Sequence, residues 1–142
     1  MELRIGREAL AGYLAEVFPQ VRDDFVIEEL APMRIRVRMP VAERHLRPGG
    51  TVSGPSMFAL ADVSVYMAVL AMIGREALAV TTSCSIDFMR KPVAGADLIC
   101  DCRLLKLGRV LAVGDCLIHS EGMAAPVARA SMTYSIPPKG QG

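Results

Sequence analysis

Residues 54–73 read GPSMFALADVSVYMAVLAMI, a stretch of helical length whose every face is apolar or small, apart from a few hydroxyls and one acid, Asp62. A helix that is apolar all round cannot turn any side to water, so other structure has to enclose it. Ser53 is placed to cap its start, Pro55 falls in the first turn where a missing N–H costs nothing, and Gly74 is a fitting stop. Whatever fold this chain adopts must wrap its remaining residues around that one helix.

The remaining residues have the pattern for it. Arg7–Phe18 predicts an amphipathic helix with Leu10, Tyr13, Leu14 and Val17 on one stripe, ending before Pro19. Phe25–Leu30 and Met33–Met39 predict strands joined by a turn at Ala31-Pro32. In the second strand Met33, Ile35, Val37 and Met39 alternate with Arg34, Arg36 and Arg38, whose guanidinium groups are expected on a solvated outer face. Ala79–Met89, Asp97–Lys106, Arg109–His119 and Pro126–Ile136 alternate with period two between short turn-rich breaks, the pattern of an antiparallel sheet with one face packed. The predicted order is α-β-β-α-β-β-β-β, an α+β class. A single domain over 1–142 is expected, with 1–20 as an N-terminal helical segment and 137–142 as a flexible tail.

At 52% hydrophobic residues the chain is apolar for its 142 residues, which points to surface hidden between subunits and hence to an oligomer. Sixteen basic against fifteen acidic residues leave a net charge of +1, without the positive field that nucleic-acid binding needs. Glu2, Arg4, Arg7 and Glu8 interrupt any signal-peptide core, and no uncharged run approaches a bilayer span; no membrane partner and a cytoplasmic location are expected. There the four cysteines are expected to be reduced and packed in the core. Cys100-x-Cys102 lacks the spacing of a metal pair, and neither His45 nor His119 repeats in a ligand pattern, so no metal site is expected.

Asp62 is the only formal charge between Thr51 and Gly74. An unpaired carboxylate inside an apolar helix would be costly enough to push its pKa upward. It is either a functional acid or one that reaches a helix end or a partner arginine. The start of the helix at Ser53-Gly54 offers free N–H groups and a favourable dipole, which is either an oxyanion hole or an ordinary capped helix start. Gly54 and Asp62 lie eight residues apart, about 12 Å along a helix, too far to grip one carbonyl. A site using both must join Gly54 of one subunit to Asp62 of another across a two-fold axis.

Gly50-Thr-Val-Ser-Gly54 leading into Leu60-Ala-Asp62, Ile86-Asp-Phe-Met-Arg-Lys-Pro92 ahead of Gly95, Lys106-Leu-Gly-Arg109 and the Ser120-Glu-Gly122 turn run across nearly the whole chain. In these motifs the sequence resembles the hot-dog-fold acyl-CoA thioesterases of the phenylacetate-degradation (PaaI-like) type. The resemblance implies a long central helix wrapped by a curved antiparallel sheet, dimerising so that the sheets join, as a dimer of dimers. It implies hydrolysis of acyl-CoA, with Asp62 as general base or nucleophile and the Gly54 N–H of the partner subunit as oxyanion donor. It implies a hydroxyl near the start of the third strand that places the water, matching Thr81 with Thr82 as rival. No cofactor is implied beyond coenzyme A as part of the substrate.

Three positions depart from the pattern: the family's usual histidine is Ser53 here, its second glycine is Pro55, and an upstream asparagine aligns with Arg47. Ser53 can still donate a hydrogen bond, and Arg47 can bind an oxyanion, neutralise Asp62 or face solvent. Met57, Phe58 and Met67 are candidates for an apolar acyl pocket. Arg90 and Lys91 suit the phosphates of coenzyme A or are a solvated strand end. Two other readings stay open, a non-catalytic acyl-CoA-binding dimer and an enoyl-CoA hydratase. The second needs an acid–histidine pair, and no histidine is near Asp62 in sequence.

Overall fold

The structure is a computed structural model and describes residues 2–138, so residues 139–142 of the expected tail lie outside the described residues. The helices are α1, Arg7–Val17, and α2, Gly54–Ile73. The strands are β1, Val26–Ala31; β2, Arg34–Met39; β3, Val80–Phe88; β4, Leu98–Leu107; β5, Leu111–Ser120; and β6, Ala128–Ser135. All six strands form one sheet in the order β1-β2-β4-β5-β6-β3, and every neighbouring pair is antiparallel.

The sheet presents one face to α2. Ile35, Val37 and Met39 of β2, Cys100 and Cys102 of β4, Ala112, Cys116 and Ile118 of β5, and Ala130, Met132 and Tyr134 of β6 are buried there with Leu60, Val65, Met67, Val69 and Leu70 of the helix. Alternation with period two delivers these residues to one side, and the helix needs no polar face because Leu10, Tyr13 and Leu14 of α1 join the same core. This is the hot-dog fold. By length and composition α2 could also cross a membrane, but it is the core helix of this sheet, with 72% of its apolar window buried.

Gly114 shows how closely the layers approach. A Cβ built at this position in β5 would lie 2.8 Å from Val65 Cγ2, so only glycine lets the helix settle on the sheet there. At the far end of α2, Gly74 takes a φ of 98°, and Arg4 N–H donates to the Ala71 carbonyl at 2.7 Å, which ties the N-terminal segment to the end of the helix.

Three expectations are corrected. The β1–β2 turn is centred on Pro32-Met33, Met33 having φ 65°, rather than on Ala31-Pro32. The arginines of β2 are not simply solvated: Arg36 pairs with Asp101 at 2.7 Å, and Arg38 is gripped by Glu28, Asp97 and Glu121 at 2.7, 2.9 and 2.8 Å. Cys84 is exposed, because it lies on β3, while Cys100, Cys102 and Cys116 are buried.

Among the described residues the strand β3 has one neighbour, β6, and its other edge is open. Nearly all of its residues are exposed, including Val80 and Phe88 with about half of their surface free. A nine-residue open edge carrying apolar side chains is the feature proteins normally cover.

Candidate active site

The start of α2 is held by the loop before it. The Ser53 N–H donates to the His45 carbonyl at 2.8 Å, the Met57 N–H to the Ser53 carbonyl at 3.1 Å, and the Ser56 N–H to Ser53 Oγ at 3.3 Å. Ser53 is therefore the helix cap. The first N–H groups of a helix have no acceptor within it, which leaves the Gly54 N–H available to a ligand. A Cβ on Gly54 would come within 3.2 Å of the Phe88 ring, so this backbone is closely flanked by the end of β3.

Arg47 sits exposed on the small loop closed by its own N–H to the Thr51 carbonyl, 2.8 Å, and pairs with no acid among the described residues. Of its three options, neutralising Asp62 of the same chain is not realised. Arg90 and Lys91 come just after β3, beyond Met89, and are exposed. Met57 is buried in the core and Phe58 packs partly buried against it, so these two and the fully buried Met67 do not line the cavity beside Asp62.

Two turns along α2, Asp62 is only partly buried. Its Oδ1 accepts from Thr81 Oγ1 at 2.5 Å and from the Tyr134 hydroxyl at 2.7 Å, and the same phenol lies 3.0 Å from the Asp62 carbonyl oxygen. Two hydroxyl donors thus meet one carboxylate oxygen. Burial foremost, and then the Asp62 charge, push the Tyr134 phenol well above its ordinary 10.0, so it stays a protonated donor.

Thr81 reaches this position through an irregularity. Ser83 pairs with Thr133 and Cys84 with Met132, but the ladder then slips, and Thr81 rather than Thr82 stands opposite Tyr134. By strict alternation Thr82 would point inward with Cys84, Ile86 and Phe88. The bulge reverses that parity and brings Thr81 to the α2 side, while Thr82 is exposed with its hydroxyl toward the Thr133 carbonyl at 3.4 Å.

A cavity of about 390 Å³ opens beside the carboxylate, lined by Val17 and Phe18 from the end of α1, by Asp62, Val63 and Tyr66 of α2, by Ala77, Ala79, Val80 and Thr81, and by Tyr134. The wall is apolar and aromatic apart from the Asp62–Thr81–Tyr134 cluster. Tyr66 stacks on Tyr134 with ring centroids 6.0 Å apart, and its hydroxyl donates to the Ala77 carbonyl at 2.9 Å. Neither histidine belongs to this cavity. His45 Nδ1 accepts from the Ala42 N–H at 2.9 Å and His119 lies beside Asp101. Among the described residues no three His, Cys, Asp or Glu side chains gather as a metal-holding group.

The positions that the sequence marks at both ends of this arrangement fall within one family pattern: a sequence model of the thioesterase superfamily matches residues 49–127. The chain belongs to the thioesterase superfamily. Solved structures agree with it along most of its length. A protein of Silicibacter sp. TM1040 assigned as a thioesterase is 67% identical, with 97% of this chain and 96% of that one covered at a TM-score of 0.92. A mutant of the phenylacetic acid degradation protein PaaI from Thermus thermophilus is 29% identical over 84% of this chain and 99% of that one, TM-score 0.72. The smu.793 protein of Streptococcus mutans UA159, solved bound to acetyl CoA, shares the fold at 23% identity over 80% and 89% of the two chains, TM-score 0.72. Among curated proteins no significant match is found. Membership supports acyl-thioester hydrolysis as the general reaction of this thioesterase.

Tyr66 and Tyr134 are the site residues that the sequence did not single out. Tyr134 occupies an ordinary inward position of an alternating strand, and only the pairing of β6 with β3 reveals what lies opposite it.

Proposed function

We propose that this thioesterase hydrolyses acyl-CoA to the free acid and coenzyme A in a site shared by two subunits. The observation that carries the reading is the Asp62 carboxylate, fixed by Thr81 and Tyr134 at the edge of an apolar cavity. In this reading the acyl group enters the cavity and Asp62 takes a proton from water as its oxygen attacks the thioester carbon, or attacks that carbon itself. The carbonyl oxygen, now negative, is met by the Gly54 N–H of the partner subunit. The C–S bond then breaks and coenzyme A leaves as its thiolate; where Asp62 has attacked, water then cleaves the mixed anhydride to release the acid and restore the carboxylate, so the chemistry calls on neither a metal nor a redox cofactor. Arg90 and Lys91, both exposed, would offer cations to the phosphates of coenzyme A.

The dimer follows from the open edge. Phe88 flanks Gly54 and Thr81 holds Asp62, so the two halves of the site stand at opposite ends of β3. With the bulged Thr82 set aside, residues 81 and 88 are symmetric about Ser85. A second copy added antiparallel along β3, with its two-fold axis there, sets Thr81 opposite Phe88 of the partner subunit and so brings Asp62 toward the partner's Gly54. Two equal sites result, and the exposed apolar residues of β3 are covered. Pairing of two such dimers would make the tetramer.

The test is turnover of a panel of aryl, short and medium acyl-CoAs, followed by release of free thiol, for the wild type and Asp62→Asn. Loss of about 10²–10⁴-fold in kcat is expected from removing the base. Unchanged turnover in the variant overturns the role of Asp62, and binding without turnover across the panel favours an acyl-CoA-binding dimer.

A further inference from the structure

One buried hydroxyl at this site is not explained by packing. Tyr134 is 3% exposed and sits in the core face of β6, where a phenylalanine would fill the same space. Its oxygen instead reaches across to the helix, 2.7 Å from Asp62 Oδ1 and 3.0 Å from the Asp62 carbonyl oxygen. The phenol has one proton for two acceptors, and the shorter contact is to the carboxylate. Thr81, directly opposite in the β3–β6 ladder, donates to that same Oδ1. Among the described residues Oδ2 receives no protein hydrogen bond, and it is not a buried orphan either, since the one such atom is His45 Nε2. One carboxylate oxygen is thus doubly held while the other is left to the cavity.

We infer that Tyr134 is a positioning residue of the Asp62 site: together with Thr81 it anchors Oδ1, so that Oδ2 is the oxygen presented to the water or to the thioester. This rests on the reading that Asp62 carries the hydrolysis. Rotation about the last bond of an aspartate interchanges its oxygens and swings the group through a broad range. Two donors converging from adjacent strands remove that freedom, and their hydrogen bonds to a charged acceptor are the stronger kind. The phenol is itself braced, by the stack on Tyr66 and by the bond from the Tyr66 hydroxyl to Ala77, so its oxygen has a defined place. Among the described residues Asp62, Tyr66 and Tyr134 are the titratable groups lining the cavity, and no other charged side chain faces it there.

The experiment compares Tyr134→Phe, Thr81→Val, the double variant and Asp62→Asn on the best acyl-CoA of the panel, with thermal unfolding run on each. Tyr134→Phe is expected to lower kcat about 10- to 100-fold, the worth of one hydrogen bond to a charged group, with KM within about twofold. The double variant is expected to lose less than the product of the two single losses, because either one frees the same oxygen. Wild-type kcat in a folded Tyr134→Phe, beside an inactive Asp62→Asn, overturns the role of Tyr134 and leaves the proposed reaction standing. Full turnover in Asp62→Asn removes the proposed reaction itself. Should Tyr134→Phe not fold, 4-fluorophenylalanine at position 134 decides. It fills the place of the hydroxyl but donates no proton, so a lowered kcat with KM kept supports the role and wild-type kcat overturns it.

Discussion

Separation of Gly54 and Asp62 along one helix makes a quantitative prediction about mixed subunits. Gly54→Pro removes the N–H at a helix position that tolerates proline, its ring meeting the half-exposed Phe88 that can swing aside. Alone it should cost about 10²–10³-fold in kcat, the loss of one oxyanion donor, and Asp62→Asn about 10²–10⁴-fold. The two positions lie eight residues apart, about 12 Å along α2. One chain therefore cannot close both around a carbonyl, and an active site needs a normal Asp62 from one subunit and a normal Gly54 from its partner. When the two variants are co-expressed in equal amounts and assort at random, half of the subunits supply the acid and half of their partners supply the glycine. About one quarter of wild-type turnover should return, from two parents that are each nearly inactive. Differently tagged chains verify the mixing, and thiol release under saturating acyl-CoA measures the recovery. No recovery in a verified mixture of inactive parents would refute the shared site; a fully active Gly54→Pro would refute the role of Gly54.

Further outcomes can be read from stability and activity. Gly114→Ala should destabilise by about 1–3 kcal/mol in urea unfolding, since its methyl would sit 2.8 Å from Val65 Cγ2, and Val65→Ala added to it should recover part of the loss. Asp97 accepts from the Val41 N–H and from Arg38, both at 2.9 Å, and these, the Val41 bond foremost, hold its carboxyl below the ordinary 3.8. A folded value lowered in this way gives stability that is present above 3.8 and lost as pH falls through the lower folded value. Asp97→Asn should accordingly cost ~1 kcal/mol at pH 7, and the gap from wild type should close in urea titrations toward pH 3. Thr82 is the extra residue of the bulge, so deleting it leaves Thr81 next to Ser83 and still opposite Tyr134 on the α2 side; thiol release should persist in that variant, and Thr82→Ala should match wild type.

Periodicity carried the fold far, because each of its elements obeys a local rule. The bounds of α2 agree with the cap at Ser53, the proline at 55 and the stop at Gly74, and the strands shift by only one or two residues from their alternation. What local rules could not reach were the relations between strands. The arginines of β2 read as solvated because their acids are distant in sequence, on β4 or just before it: Asp101 and Asp97 are 65 and 59 residues away from Arg36 and Arg38. Thr81 and Thr82 were indistinguishable for the same reason, since a single unpaired residue reverses the face of everything before it, and only the partner strand shows where it falls. That reversal also sets Thr81 against Tyr134, so the bulge that obscured the site in the sequence is the feature that assembles it. Asp62 could be recognised as anomalous from its own helix, but the donors that make it usable come from the β3–β6 pair, 19 and 72 residues away. The acid and the architecture that orients it are therefore separable, and a variant can keep one while losing the other.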